Sequence, residues 1–211
     1  MPHVVLLGDS IFDNAAYVAG GPDVLAQLAP ALPAGWSATL CAVDGAVVAD
    51  VERQLTCVPA NATHLVVSVG GNDALGHIDL LGRPARSSAE VLQMLADAAR
   101  PFEARYRRML AAVLRRGIPA TVCTIYNGSF PDALTQRLAA TALTVFNDAI
   151  FRAAVETRTP VIDLRLVCDQ PADYANPIEP SVGGGAKIAR AVARAVTERC
   201  AGSRHTEVFA G

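Results

Sequence analysis

The stretch HVVLLGDSIFDN, residues 3–14, opens the reading of the whole chain. Its first residues, His3–Leu7, are apolar and β-branched, as in a buried strand. Gly8 then permits a sharp turn directly after that strand. Ser10 falls where a helical turn would begin, with backbone N–H groups free nearby. A serine in that place is either a helix cap or a nucleophile, and the stretch alone leaves both readings open.

Working outward, four more runs carry the strand signal: Ala38–Val43, His64–Val69, Ala120–Tyr126 and Val161–Leu164. Helical periods lie between them. Phe102, Tyr106, Met109, Leu110, Val113 and Leu114 fall at i, i+4, i+7, i+8, i+11 and i+12, a stripe of period 3.6. Arg105, Arg107, Arg108, Arg115 and Arg116 fall off the stripe and read as a solvated face. Leu138, Val145, Phe146 and Ile150 suggest another helix, and Ile188, Val192 and Val196 a last one. Strands alternating with helices predict an α/β fold with a central parallel sheet of about five strands. In such sheets, ligands bind outside the carboxyl ends of the strands.

A chain of 211 residues, 52% hydrophobic and 18% charged, fits one domain with a full core. We expect that domain over residues 1–201, with a frayed tail over 202–211. The net charge of −2 gives no field that would gather nucleic acid or an anionic membrane. The opening MPHVVLLGDS is too short for a leader or a span, and no later apolar run reaches spanning length without a charge or breaker. The expectation is a soluble, cytoplasmic protein without a membrane span. The five cysteines, Cys41, Cys57, Cys123, Cys168 and Cys200, show no metal spacing, and their odd number argues against a full disulfide framework. No metal or cofactor is implied, and oligomeric state is not legible.

Three loops follow predicted strands. LLGDSIFDN, residues 6–14, supplies the Ser10 hydroxyl. AVDGA, residues 42–46, offers a bare backbone N–H at Gly45. VGGNDA, residues 69–74, offers the side-chain amide of Asn72. Each motif alone is a common turn. All three lie at the same end of the sheet, so they can converge. A nucleophile with donors aimed at a developing oxyanion is the equipment of acyl transfer.

The order GDS, then Gly, then GND, then a block near the C-terminus resembles the SGNH (GDSL-type) hydrolases over residues 6 to about 190. The resemblance implies a flavodoxin-like three-layer α/β/α sandwich and a lipolytic or deacylating esterase acting on a small-molecule ester. It implies Ser10 as nucleophile, and the Ser10 N–H, Gly45 N–H and Asn72 amide as oxyanion hole. The family's last block reads Asp-x-x-His-Pro. The corresponding stretch here, ANPIEPSVGGGAKIARA over residues 175–191, carries Asn176 and Glu179 in those places.

A histidine base becomes cationic in the transition state, so an anionic Asp suits it. A glutamate base starts anionic, and an Asp beside it would repel it. Asn176 can instead donate its amide to the Glu179 carboxylate. Free Glu titrates about two units below free His, or about 3 kcal/mol of proton affinity, only part of which enters the barrier. A carboxylate base predicts activity persisting at pH values that protonate an imidazole, unless burial raises Glu179. Of the histidines, His3 and His64 open strands at the wrong end, and His205 lies in the tail. His77, after Asn72, is at the right end and is a candidate for substrate contact, as is Asp13 one turn after Ser10. Asp9 reads as a brace of the turn. Two other functions fit the same motifs: a non-catalytic binding module on a hydrolase fold, and an acyltransferase using the same nucleophile.

Overall fold

The computed structural model describes residues 1–198 and 205–211. Cys200 and the start of the expected tail lie outside the described residues. The strands are β1 His3–Gly8, β2 Ser37–Leu40, β3 His64–Ser68, β4 Ala120–Cys123, β5 Val161–Ile162 and β6 Val208–Phe209. They form a six-stranded sheet in the order β2-β1-β3-β4-β5-β6, with every pairing parallel. The helices are α1 Val24–Ala31, α2 Val51–Gln54, α3 Gly71–Leu75, α4 Ser88–Leu114, α5 Ala133–Thr157, α6 Leu164–Val167 and α7 Val182–Thr197, with short 3₁₀ turns between them.

The alternation of side chains along each strand sorts the core into two layers. Val5, Leu7, Leu65, Val67, Val122 and Val161 pack with α2, α4 and α5 on one face. Val4, Leu6, Val66, Cys123 and Ile162 pack with α1, α6 and α7 on the other. The fold is thus the expected three-layer α/β/α sandwich. The predicted stripe of α4 is its buried face, and Ile188, Val192 and Val196 are the buried side of α7. In α5, Phe146 and Ile150 are buried, whereas Leu138 is 40% exposed. By length and composition α5 is apolar enough to cross a membrane, but it packs along α4.

Two sequence expectations change. The sheet has a sixth strand, formed by tail residues expected to fray. The Val161 N–H donates to Glu207 O at 2.8 Å and the Asp163 N–H to Phe209 O at 2.9 Å, and the Phe209 side chain joins the core. Four predicted strands also end early, at Leu40, Ser68, Cys123 and Ile162. Their last apolar residues leave the ladder to reach the carboxyl edge, where Tyr126 remains buried against the loops.

The order 2-1-3-4-5 within this sheet is that of flavodoxin-like folds, in which the chain reverses direction of winding beside β1. Strands β1 and β3 are neighbours there, and the loops leaving them carry Ser10 and Asn72.

Candidate active site

The turn after β1 is fixed by backbone. Gly8 has φ +125°, and a Cβ on it would lie 1.7 Å from the Ser68 carbonyl oxygen, so no other residue fits between β1 and β3. The Phe12 and Asp13 N–H groups both donate to Asp9 O at 3.1 Å, coiling the chain around Ser10. Buried Gln54 clamps the turn from behind, accepting from the Gly8 N–H and donating to the Gly8 carbonyl, each at 2.7 Å. Ser10 is 7% exposed.

Side chains from the flanking loops tie the second loop in place. Asp13 Oδ2 accepts from the Asp44 N–H at 2.9 Å. Asn72 Nδ2 donates to Ala46 O at 3.0 Å. Asp73 Oδ2 accepts from the Val48 N–H at 2.9 Å, and its other oxygen faces Arg105 at 3.5 Å. Asp13 is therefore a brace for the Gly45 loop and does not line the cavity beside Ser10. Arg105, expected on a solvated face, neutralises a buried aspartate next to Asn72. Gly45 sits on an exposed turn outside the cavity lining. Neither the Ser10 N–H nor the Gly45 N–H is used by another hydrogen bond among the described residues. An amide NH₂ carries two hydrogens, so Asn72 keeps one after binding Ala46.

The last block is a loop held by its backbone. The Ser129 N–H donates to Pro177 O at 2.8 Å, the Tyr126 hydroxyl to Ile178 O at 2.6 Å, and the Ala175 N–H to Glu179 O at 2.9 Å. Asn14 reaches across from the first loop to Pro180 O at 3.4 Å. Asn176 does not meet the Glu179 carboxylate as expected. Its Oδ1 accepts from the Ile178 and Glu179 N–H groups at 3.0 Å each, an Asx turn. The amide that was expected to orient the carboxylate instead sets the backbone that carries it. Ser181 caps α7, and at Gly184 a Cβ would stand 2.0 Å from Asp173 O, which accounts for glycine at that point of the GGG run.

Glu179 is 5% exposed, and its Oε2 is buried with no hydrogen-bond partner. Burial pushes its carboxyl up to about 7, the Ser10 hydroxyl beside it lowers it, and Asp44 raises it again. Asp9, 3% exposed, lines the same cavity. Burial raises it to about 8, the Ile11 N–H donated to it at 3.2 Å pulls it down, and Glu179 raises it further. Two buried carboxyls in one cavity cannot both ionise cheaply, so their titrations are linked. Asp9 does brace the turn, as expected, but sequence reasoning missed its place beside Glu179.

Ser10, Asn72, Asp9 and Glu179 stand at the polar end of a cavity of about 110 Å³. Ile11, Leu75, Leu81, Leu95, Ile125 and Leu143 are among its apolar walls. His77 is also in the lining, stacked on Phe146 with centroids 6.2 Å apart, so its ring forms part of the wall. His3 bonds Thr39 at 2.8 Å and His64 stacks on Trp36, both at the opposite end of the sheet. Sequence reasoning also missed Gln54 and Asn147. Asn147 clamps Ile125 at the end of β4 by bonds of 2.8 and 2.9 Å, as Gln54 clamps Gly8. No group of acidic, histidine or cysteine side chains suited to a metal occurs among the described residues.

Comparison with known proteins bears on this arrangement. No curated protein matches the sequence. Among solved structures, an extracellular lipase from Streptomyces rimosus superposes with TM-score 0.69 at 20% identity, covering 93% of this chain and 100% of that one. Phospholipase A1 from Streptomyces albidoflavus does so with TM-score 0.67 at 15% identity, covering 94% and 99%. An acetylxylan esterase from Geobacillus stearothermophilus gives TM-score 0.63 at 18% identity, covering 92% and 94%. These likenesses establish the fold. The family model for GDSL-like lipases and acylhydrolases matches residues 6–184, a span that runs from the Ser10 turn through the Glu179 loop to the start of α7. The chain belongs to the GDSL-like lipase/acylhydrolase family.

Proposed function

We propose that this protein hydrolyses carboxylic esters of apolar acyl groups through an acyl-enzyme on Ser10, with Glu179 as general base. The observation that carries the reading is the carboxyl of Glu179. It is buried beside the Ser10 hydroxyl, with one oxygen unpartnered and no cation acting on it. A structural carboxylate at that depth would be paired, because burying an unpaired charge is costly.

The chemistry follows from the charges. As Ser10 Oγ attacks the carbonyl carbon, Glu179 takes the hydroxyl proton and becomes neutral. The negative charge moves to the substrate oxygen, which the Ser10 N–H, Gly45 N–H and Asn72 amide receive. Collapse expels the alcohol, protonated by Glu179, and leaves the acyl group on Ser10. Water then repeats the sequence and restores the carboxylate. A histidine base would create an ion pair at the first step and need an anion to hold it. A glutamate base relocates one negative charge and needs none, so an aspartate at position 176 has no task here. Burial also removes the handicap of a weak base. A carboxyl raised to about 7 binds a proton at least as well as a free imidazole at about 6.5. Asp9, raised to about 8, is neutral at pH 7 and adds no second charge against the oxyanion.

The apolar walls and the 110 Å³ of room support a short hydrocarbon acyl group rather than a polar one. An engineered cavity of about 150 Å³ admits benzene, which sets the scale. The matched structures are described as lipase, phospholipase and acetylxylan esterase, all ester-cleaving proteins, which agrees with this class. The test is turnover of p-nitrophenyl esters of increasing chain length, with mapping of the residue labelled by a fluorophosphonate. Hydrolysis of short apolar esters and a label on Ser10 are expected. An unlabelled Ser10 together with no ester cleavage would overturn the reading.

A further inference from the structure

The turn that carries Gly45 has a definite type, and the type decides where the Gly45 N–H points. The Ala46 N–H donates to Val43 O at 3.1 Å and closes a four-residue turn. Gly45, its third residue, has φ +77°, and Asp44, its second, does not have a positive φ. That combination is a type II turn. In the type I alternative the peptide between Asp44 and Gly45 is turned over. The Asp44 carbonyl oxygen then takes the side that the Gly45 N–H had, and an acceptor replaces a donor.

The peptide itself is not held. Neither the Asp44 carbonyl nor the Gly45 N–H makes a hydrogen bond among the described residues. Glycine permits both signs of φ, so residue 45 allows the type II form without imposing it. A Cβ there would meet nothing within 4 Å, so packing does not select the form either. What is held is Asp44. Its N–H donates to Asp13 Oδ2 at 2.9 Å, and its own Oδ2 accepts from the Tyr17 hydroxyl at 2.7 Å. The bond to Asp44, with burial adding to it, pushes Tyr17 up to about 12, so the hydroxyl keeps its proton through neutral pH. Tyr17 is placed in turn by Asn14. The Tyr17 N–H donates to Asn14 O at 2.9 Å, and the buried Asn14 side chain reaches Pro180 O, next to Glu179.

We propose that Tyr17 is a positioning residue for ester cleavage: through Asp44 it keeps the Val43–Ala46 turn in the type II form that presents the Gly45 N–H to the oxyanion. This role rests on Gly45 being a donor of the proposed oxyanion hole. Without the Tyr17 bond, Asp44 keeps one of its two tethers, and the peptide turns over more readily.

The experiment joins NMR of the intact protein with kinetics on a short p-nitrophenyl ester. The Overhauser contact between the Asp44 α-proton and the Gly45 amide proton is strong in a type II turn and weak in type I. It should be strong in wild type and weaker in Tyr17→Phe, which keeps the ring and should melt close to wild type. Tyr17→Phe should lower kcat by roughly two- to tenfold, the worth of one net hydrogen bond, with KM nearly unchanged. Gly45→Ala, which strains the positive φ without a clash, should cost about 10²–10³ in kcat. Gly45→Asn should cost much less, because Asn tolerates positive φ. Added to Gly45→Ala, Tyr17→Phe should have no further effect, since both act through one N–H. An Overhauser contact of full strength in Tyr17→Phe would overturn the proposal. So would an effect confined to KM, or one that persists in full on Gly45→Ala. No ester cleavage by wild type would overturn the proposed function and this role with it, and is distinguishable because the Overhauser contact reads the turn without turnover.

Discussion

Asp73 and Glu179 are carboxylates buried to nearly the same depth, 9% and 5% exposed. Asp73 has a full set of partners, the Val48 N–H and Arg105. Glu179 has the Ser10 hydroxyl, an unpartnered Oε2 and no cation. The first ties the segment after the Gly45 turn to α3 and α4. The second is held by its backbone alone, through the Asx turn of Asn176 and the bonds to Pro177 and Ile178, so that its carboxyl stays available. The difference separates a carboxylate whose partners tie loops together from one whose carboxyl is left open beside Ser10. A satisfied buried charge stabilises the fold; an unsatisfied one is kept at a cost to stability.

The contrast can be broken in four ways. Ser10→Ala removes the nucleophile and should reduce ester turnover to background while Tm changes little. Activity at the wild-type level would place the chemistry elsewhere. Glu179→Gln preserves shape and removes the base, so kcat should fall by about 10²–10⁴-fold. If it does not, His77→Ala tests the histidine of the cavity wall. Asn72→Ala removes one donor to the developing charge and should cost about 10²–10³ in kcat. A change confined to KM would make Asn72 a substrate-binding group instead.

The smallest effect is on stability and has a definite sign. Glu179 is raised from 4.5 to about 7 in the folded protein. The folded state therefore binds the proton more tightly, and the associated stability is full below about 4.5 and lost as pH rises through about 7. Glu179→Gln should melt a few degrees above wild type at pH 8, and the gap should close toward pH 5. Asp73→Asn should melt below wild type, because it leaves Arg105 without its partner. Equal behaviour of the two variants in thermal melts across that pH range would erase the distinction drawn above.

The strands β1 and β3, their glycine turns, Ser10 and Asn72 were legible in sequence because a buried parallel strand is a short apolar run and glycine marks its end. The stripe of α4 was legible for the same reason of period. The clamps were not. Gln54 and Asn147 are polar residues in helical segments, and only the three-dimensional packing places them over the open backbone at Gly8 and Ile125. Arg105 looked like surface charge because its partner is distant in sequence. Strand β6 was missed because Val208–Phe209 is a two-residue ladder defined by β5 rather than by its own pattern. The position of Glu179 was readable from its register with the GGG run. The role of Asn176 was not, because an Asn before Pro can cap its own loop as readily as it can reach a neighbour.

The central claim is that burial turns Glu179 into a base matched to neutral pH, and this also revises the expectation of activity far into acid. The most direct test is the pH dependence of kcat/KM at several temperatures, for wild type and Glu179→Gln. The account predicts an acid limb near pH 7 in wild type, with an ionisation enthalpy close to zero as for a carboxyl group, and no such limb in the residual activity of Glu179→Gln. A limb with the large positive enthalpy of an imidazole, or one that survives Glu179→Gln unchanged, would contradict it.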